Sequence, residues 1–460
     1  MPDIDNLLQS VKRIHFIGIG GSGMCPLAEI LHSEGYRLSG SDNNPSDTLD
    51  RIKALGIPVA MGQRAENIGD AEMVVYTAAL LPDNPELVAA KESGVPTFER
   101  AELFGAISRL YKTCIGVCGT HGKTTTTSML TQMLLEAGLD PSAVIGGKLP
   151  KIGANGRVGK SDTFVCEACE FKDTFLHLSP SVAVILNIDE DHMDYFKTME
   201  NLIRSFHTFA EMARDAVVYN GDDANTRRAL EGVTGKTLVS FGFSETNDWY
   251  AENLSVEHGA YDAFDVVHNG AVLGRVTLAV PGRHNVLNAL AAFAAAALAG
   301  ADFAAAKKGL EAFGGAGRRF ENLGTYRGIT FVDDYAHHPA ELRVTLEAAM
   351  QMGYRRVWAL FQPFTYSRTY MLMDEFAEVL RIPDRCVVTR IMGSRERNTY
   401  GVTAEQLAEK IPGCVCVQTF DEAADAILRE AGEGDLVLTL GCGDIYKAAK
   451  VMMRRLQKEG

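Results

Sequence analysis

The sequence predicts an α/β protein of three domains built on parallel sheets. Three observations carry this. Short apolar runs alternate with helical stretches along most of the chain, which is the rhythm of βαβ units. Two glycine-rich loops each stand between an apolar run and a helical one. The 460 residues, 46% hydrophobic and 23% charged, are enough for roughly three cores of ~150 residues each.

The first domain is expected over residues 1–108. Its apolar runs Ile14–Ile19, Arg37–Gly40 and Ala71–Tyr76 alternate with helices over Met24–Ser33 and Asn84–Glu92. Between the first strand and first helix, Gly18-Ile19-Gly20-Gly21-Ser22-Gly23 fits G-x-G-x-x-G, and Asp42 follows the second strand where a ribose-binding acid belongs. Alone, the motif specifies a diphosphate at a helix N-terminus, a feature that NAD, FAD and UDP-sugars share.

The second domain, residues 109–313, opens on the most informative stretch of the chain. The apolar run ending in Val117-Cys118 leads into Gly119-Thr120-His121-Gly122-Lys123-Thr124-Thr125 and a helix over Thr124–Ala137, closed by Gly138. Glycines let backbone N–H groups converge on phosphate, the helix N-terminus adds positive potential, Lys123 brings a movable charge and the Thr124 hydroxyl suits Mg²⁺. The loop is a variant of G-x-x-x-x-G-K-[ST], because Val117 occupies the position of the first glycine. Further strands, Thr163–Cys166 and Val182–Ile188, deliver Glu167 and Asp189-Glu190-Asp191-His192 to the same carboxyl edge of the sheet. Carboxylate and neutral imidazole complete Mg²⁺ shells around a triphosphate, which makes Glu167 and His192 metal-ligand candidates. Pro281–Ala289 offers amide and imidazole groups for an adenine edge, and the alanine-rich tract Leu287–Ala306 reads as a buried helix, too poor in Leu, Ile and Phe for a membrane span.

The third domain, residues 314–460, begins at a glycine hinge, Gly314-Gly315-Ala316-Gly317-Arg318-Arg319, followed by strands at Ile329–Val332, Val357–Phe361, Cys386–Thr389 and Leu436–Leu440. Asp333-Asp334-Tyr335-Ala336-His337-His338-Pro339 follows the first of these strands, and Arg368 offers a fork suited to a carboxylate.

A net charge of -14 argues against nucleic acid as a partner, and no secretory leader is visible before the first strand. Nine cysteines without paired zinc-finger spacing indicate free thiols in a reducing compartment. A cytoplasmic protein is expected, with no membrane partner, as a monomer or weak homodimer.

Five segments together resemble the Mur ligases, the ATP-dependent amino-acid-adding enzymes of peptidoglycan synthesis: Gly18–Met24, Gly119–Thr125, Asn187–His192, His284-Asn-x-x-Asn288 and Asp333–Pro339. The resemblance spans essentially the whole chain and implies a Mur ligase architecture: an N-terminal Rossmann-like domain, a central P-loop ATPase-like domain and a C-terminal Rossmann-like domain. Within the family it is similar to the alanine-adding branch, so the implied reaction joins L-alanine to the lactyl carboxylate of UDP-N-acetylmuramate through an acyl phosphate, with ATP and two Mg²⁺ ions.

By the same resemblance Lys123, Glu167 and His192 are catalytic, and Thr124, Glu167 and His192 bind metal. ATP is held by Gly119, Thr120, His121, Gly122, Lys123, Thr124, Thr125, His284, Asn288, Arg319 and Asp334. The UDP-sugar is held by Gly20, Gly21, Ser22, Gly23, Met24, Ser41, Asp42 and Thr77, and the amino acid by Tyr335, His337 and Arg368. Phe364 stands where the family usually has histidine, and Gln63 where it often has one. A relative adding glycine, serine or a peptide is the alternative within the family. An NAD-dependent dehydrogenase is the alternative outside it, and it leaves Gly119–Thr125 without a task.

Overall fold

The computed structural model describes residues 3–257, 261–394 and 396–458. The chain divides into two compact units, one comprising Met1–Glu252, Asp265–Gly274 and Leu287–Ala312, the other Asn253–Phe264, Arg275–Val286 and Phe313–Gly460.

A five-stranded sheet comes first: β1 (Arg13–Ile17), β2 (Arg37–Asp42), β3 (Val59–Met61), β4 (Met73–Tyr76) and β5 (Thr97–Glu99), in the order β3-β2-β1-β4-β5 and parallel throughout. The chain leaves β1 to one side and later returns to the other, so a crevice opens at the carboxyl ends of β1 and β4. Pro26 starts the helix Cys25–Ser33, which buries Leu27, Ala28, Ile30 and Leu31.

The second sheet comprises β6 (Thr113–Cys118), β7 (Ser142–Leu149), β8 (Ala154–Arg157), β9 (Thr163–Glu167), β10 (Val182–Ile185), β11 (Ala216–Asn220), β12 (Thr237–Gly242), β13 (Trp249–Glu257), β14 (Tyr261–His268) and β15 (Ala271–Thr277). Its order is β15-β14-β13-β12-β11-β10-β6-β9-β7-β8. Strand β6 has parallel neighbours on both sides, β10 and β9, so the loop that follows it lies between their carboxyl ends.

The helix after that loop, Lys123–Glu136, is rich in threonine, a poor helix former. Thr127 and Thr131 bond back to the carbonyls of Lys123 and Thr127 at 2.8 and 2.7 Å, so their buried hydroxyls are satisfied within the helix. Against this helix packs Phe303–Glu311, where Gly309 permits close approach to Met133 and accepts a bond from Gln132 at 2.9 Å. The tract expected as one alanine helix is therefore two, His284–Leu298 and Phe303–Glu311. Gly300, at φ +87°, turns the chain, and the Asp302 carboxylate caps the second helix by accepting from Ala304 and Ala305 N–H.

The third sheet lies in the second unit and comprises β16 (Glu321–Tyr326), β17 (Ile329–Asp334), β18 (Arg356–Phe361), β19 (Arg385–Thr389), β20 (Val415–Val417) and β21 (Asp435–Leu440), in the order β16-β17-β21-β18-β19-β20. Only β16 is antiparallel to its neighbour. Val357, Ala359 and Phe361 join one apolar cluster while Trp358 and Leu360 join another, so β18 is buried on both faces, as a doubly wound sheet requires. Among the described residues no helix is long and apolar enough to cross a membrane, and all nine cysteines are free.

Candidate active site

The loop after β6 takes its shape from two glycines at positive φ, Gly119 at +140° and Gly122 at +85°. A Cβ on Gly119 would press on Leu186, and one on Gly122 would collide with Asn288 Oδ1, so both positions also require the absence of a side chain. Asn187 fixes the loop from the next strand end. Its Oδ1 accepts from His121 N–H at 2.8 Å, its Nδ2 donates to the His121 carbonyl at 3.1 Å, and its own carbonyl accepts from Thr120 N–H at 3.0 Å. The Thr120 hydroxyl in turn accepts from Asp189 N–H at 2.9 Å.

Lys123, the first residue of the helix, folds back over the loop. Its Nζ donates to the carbonyls of Gly119 and Thr120 at 2.5 and 3.0 Å and to Glu170 Oε1 at 3.0 Å. Burial is the largest influence and opposes the lysine's charge, but Glu170, Cys169 and Glu167 together more than offset it, and the ammonium is held above its ordinary pKa.

The three expected metal ligands fall into two sets. Glu167, the last residue of β9, accepts at Oε2 from the Thr124 hydroxyl at 2.9 Å and from Gly146 N–H at 2.7 Å. His192 has φ +54°, a strained value for this residue, and its ring lies 4.6 Å from that of Phe171. Ligand atoms of His192, Asp191 and Glu170 all lie within 4.8 Å of one another. Carboxylate and hydroxyl oxygens suit a hard divalent cation, with the neutral imidazole as a borderline nitrogen ligand beside them. Glu170 Oε2 is buried with no hydrogen-bond partner, the condition that a cation relieves. The residues present therefore fit Mg²⁺.

At the carboxyl ends of β1, β2 and β4, Gly18 and Ile19 donate to the Ser41 carbonyl at 2.8 and 3.0 Å. Gly20 N–H donates to Asp42 Oδ2 at 2.9 Å, while Asp42 Oδ1 accepts from Asn44 at 3.0 Å. Thr77 stands against Gly18, where its methyl would meet any added Cβ. Asn155 Nδ2 binds the Ser22 carbonyl at 2.5 Å, and Gly21 and Gly23 complete the turn. Two of the expected UDP-sugar residues face inward. Met24 is buried, and the Ser41 hydroxyl donates to the buried Glu86 at 2.7 Å, so Ser41 offers the loop its carbonyl rather than its side chain.

In the second unit, Asp334 at the end of β17 accepts from Phe320 N–H at 2.7 Å and Ala336 N–H at 2.8 Å, which ties the hinge to the strand. Burial raises its carboxyl pKa to about 6, with Arg319 and the two amides opposing the rise. Arg319 lies over the Tyr335 ring at 4.6 Å, and His337 Nδ1 lies 3.0 Å from the Tyr335 carbonyl and 3.3 Å from Glu341. Arg368 sits on the short helix Tyr366–Met371, and His284 begins the helix that carries Asn288.

Three family models match the chain in succession: "Mur ligase family, catalytic domain" over residues 13–112, "Mur ligase middle domain" over 117–296 and "Mur ligase, glutamate ligase domain" over 318–443. The chain belongs to the Mur ligase family. Its relatives within that family include the UDP-N-acetylmuramate–L-alanine ligases of Caldanaerobacter subterraneus, 43% identical over 98% of this chain and 99% of the relative, and of Lachnospira eligens, 43% identical over 96% and 98%. The crystal structure of the UDP-N-acetylmuramate–alanine ligase of Thermotoga maritima superimposes with a TM-score of 0.84 at 29% identity, covering 97% of this chain and all of that one. The Mur ligase fold expected from the sequence is thus the fold observed, and the protein is an ATP-dependent ligase.

This Mur ligase carries site residues that the sequence reading did not assign. Asn187 stood in a quoted motif without a task and turns out to clamp the phosphate loop. Asp191 belonged to an acidic turn indistinguishable from a solvated one. Glu170 lay three residues past Glu167, and that spacing was the only signal for it.

Proposed function

We propose that this Mur ligase joins L-alanine to the lactyl carboxylate of UDP-N-acetylmuramate, consuming ATP, in the cytoplasm. The observation that carries the reading is the convergence of Lys123, Thr124 and Glu167 on one phosphate loop at the carboxyl edge of the central sheet, and the alanine ligases among the relatives support the choice of substrate. A carboxylate oxygen is a poor leaving group. Transfer of the γ-phosphoryl group to the lactyl carboxylate gives an acyl phosphate, the alanine amine attacks its carbonyl carbon, and phosphate leaves as the amide forms.

With the Thr120 and His121 N–H groups committed to Asn187, the backbone N–H groups at the start of the helix Lys123–Glu136 and the Lys123 ammonium are left to meet the charge that grows on the transferring group. Thr124 with Glu167, and His192 with Asp191 and Glu170, would hold two Mg²⁺ ions, which supply Lewis-acid stabilisation of phosphoryl oxygens. The glycine turn Gly20–Gly23, against Asp42 and Thr77, orients the UDP-sugar by its diphosphate, and Arg319 and Asp334 serve the nucleotide. The domain boundaries fall near residues 108 and 313.

Phosphate release measured with UDP-N-acetylmuramate and each amino acid in turn tests the reading. Alanine should be the best acceptor, and a higher rate with glycine or serine would reassign the amino acid. One methyl group is worth only ~1–3 kcal/mol, so measurable turnover of glycine is expected. Arg368→Ala should raise the KM for alanine about tenfold, matching the loss of one charge-assisted hydrogen bond to its carboxylate, and leave the KM for ATP unchanged. If Arg368→Ala instead shifts both KM values together, the arginine does not serve the amino acid. Glu167→Ala should move the Mg²⁺ activation curve to much higher concentration. Activity lost at unchanged Mg²⁺ dependence would remove Glu167 from the metal site.

A further inference from the structure

An ammonium group has three N–H donors, and in this structure all three of Lys123 are spent within the protein, on the carbonyls of Gly119 and Thr120 and on Glu170 Oε1. A phosphate oxygen that binds Lys123 must therefore replace one of these acceptors. The two carbonyls belong to the phosphate loop itself, whereas Glu170 reaches the lysine from the segment after β9, and its charge is the one that a phosphate would duplicate. We propose that Glu170 is a counter-charge exchanged during binding: it holds Lys123 while the nucleotide site is empty, yields it to the nucleotide's phosphate, and passes to a divalent cation held with Asp191 and His192. The inference rests on the function proposed above and adds to it a residue that couples the nucleotide to the metal.

Three further observations define the exchange. Glu170 is only 1% exposed, and its Oε2 has no hydrogen-bond partner, so a Glu170 that has lost Lys123 needs another positive charge at once. The ligand atoms of Asp191 and His192 lie within 4.8 Å of its own, which places a cation position beside the carboxylate that the lysine vacates. The segment that carries Glu170 is also strained, since Lys172 and Asp173 both have positive φ, at 54° and 57°, and Phe171 packs on His192. Nucleotide and cation then favour each other through one carboxylate, and by linkage the effect is reciprocal.

The test is ADP binding by isothermal titration calorimetry, with excess EDTA and with Mg²⁺, to the full-length wild type and to Glu170→Gln. The amide keeps the size of the side chain and removes its charge. Wild type should bind ADP weakly in EDTA and at least tenfold more tightly with Mg²⁺. Glu170→Gln should bind ADP in EDTA about tenfold more tightly than wild type and show a smaller Mg²⁺ enhancement. A purely structural role for Glu170 predicts the opposite sign, so weaker or equal binding by the variant in EDTA overturns the proposal. Should Glu170→Gln fail to fold, Glu170→Asp, which draws the carboxylate back by one methylene, should show the same change in sign at smaller size, and no change there is equally fatal. A wild type that binds no ADP under either condition would overturn the proposed function and this inference together, whereas binding by the wild type without the predicted difference removes this inference alone.

Discussion

Lys123→Ala lowers the rate of ligation at saturating substrates at least ~100-fold, because the charge removed is worth more against the transferring phosphoryl group than against bound ATP. The substitution has a second effect that must be kept apart from the first. Glu170 is buried and, among the described residues, ion-paired only to Lys123, so the single variant strands a carboxylate in the interior, and breaking such a pair costs about 3–5 kcal/mol. The double variant Lys123→Ala/Glu170→Gln removes both charges and should recover most of the lost stability while remaining inactive. Steady-state phosphate release and urea unfolding, measured on wild type and both variants, separate the two effects. Turnover near the wild-type rate in a folded Lys123→Ala would remove the lysine from the mechanism. A double variant no more stable than the single would show that the Lys123–Glu170 pair is not what the interior requires.

Strands at the middle of each sheet were legible in the sequence because strands of a parallel sheet, covered on both faces, read as unbroken apolar runs, whereas β3, β5, β7, β8, β11 to β15 and β20 were not singled out. Val182–Ile185 lies within the residues expected, and Asp435–Leu440 begins one residue before those expected. The antiparallel β16 escaped, since Glu321–Tyr326 is polar and partly exposed and gives no such run. The alanine tract was legible as helix but not as two helices, because alanine favours helix on either side of a break that Gly300 and Asp302 impose.

Legibility of the site followed the same division. Lys123, Thr124 and Glu167 were readable because a glycine loop, a strand end and a helix start fix their positions locally. Glu170 and Asn187 act through contacts across the sheet, with Lys123 47 residues away and His121 66 residues away, and no local pattern encodes a contact of that kind. Ser41 shows a detail that sequence position does not encode, the direction of its hydroxyl. Its position beside Asp42 suggests a substrate contact, while its hydroxyl is turned into the core toward Glu86.

The hinge arginines show how the resemblance and the packing can single out different neighbours, and they set the second large expectation. The resemblance points to Arg319, yet Arg318 carries the local structure. Arg318 Nε pairs with the buried Asp333 at 2.9 Å, and its two terminal nitrogens reach the carbonyls of Gly443 at 2.9 Å and Gly441 at 2.6 Å. Its guanidinium also lies 5.0 Å from the ring centres of both Tyr335 and Tyr446. Among the described residues, Arg318→Ala leaves the Asp333 carboxylate with only the Thr439 hydroxyl, at 2.6 Å, and it deprives two loop carbonyls of their donor, so it should destabilise the protein by about 3–5 kcal/mol. Arg318→Lys keeps a charge near Asp333 but replaces a planar fork with a single point, so it should recover part of the loss and not all of it. Urea unfolding of the three proteins decides the matter. If Arg318→Ala unfolds at the wild-type midpoint, or if lysine restores full stability, then the fork across β17 and the loop after β21 does not hold the second unit together. Backbone conformation argues that it does, because Arg318 is kept at φ +60°, an uncommon value for a non-glycine residue that persists only where the surrounding structure holds it.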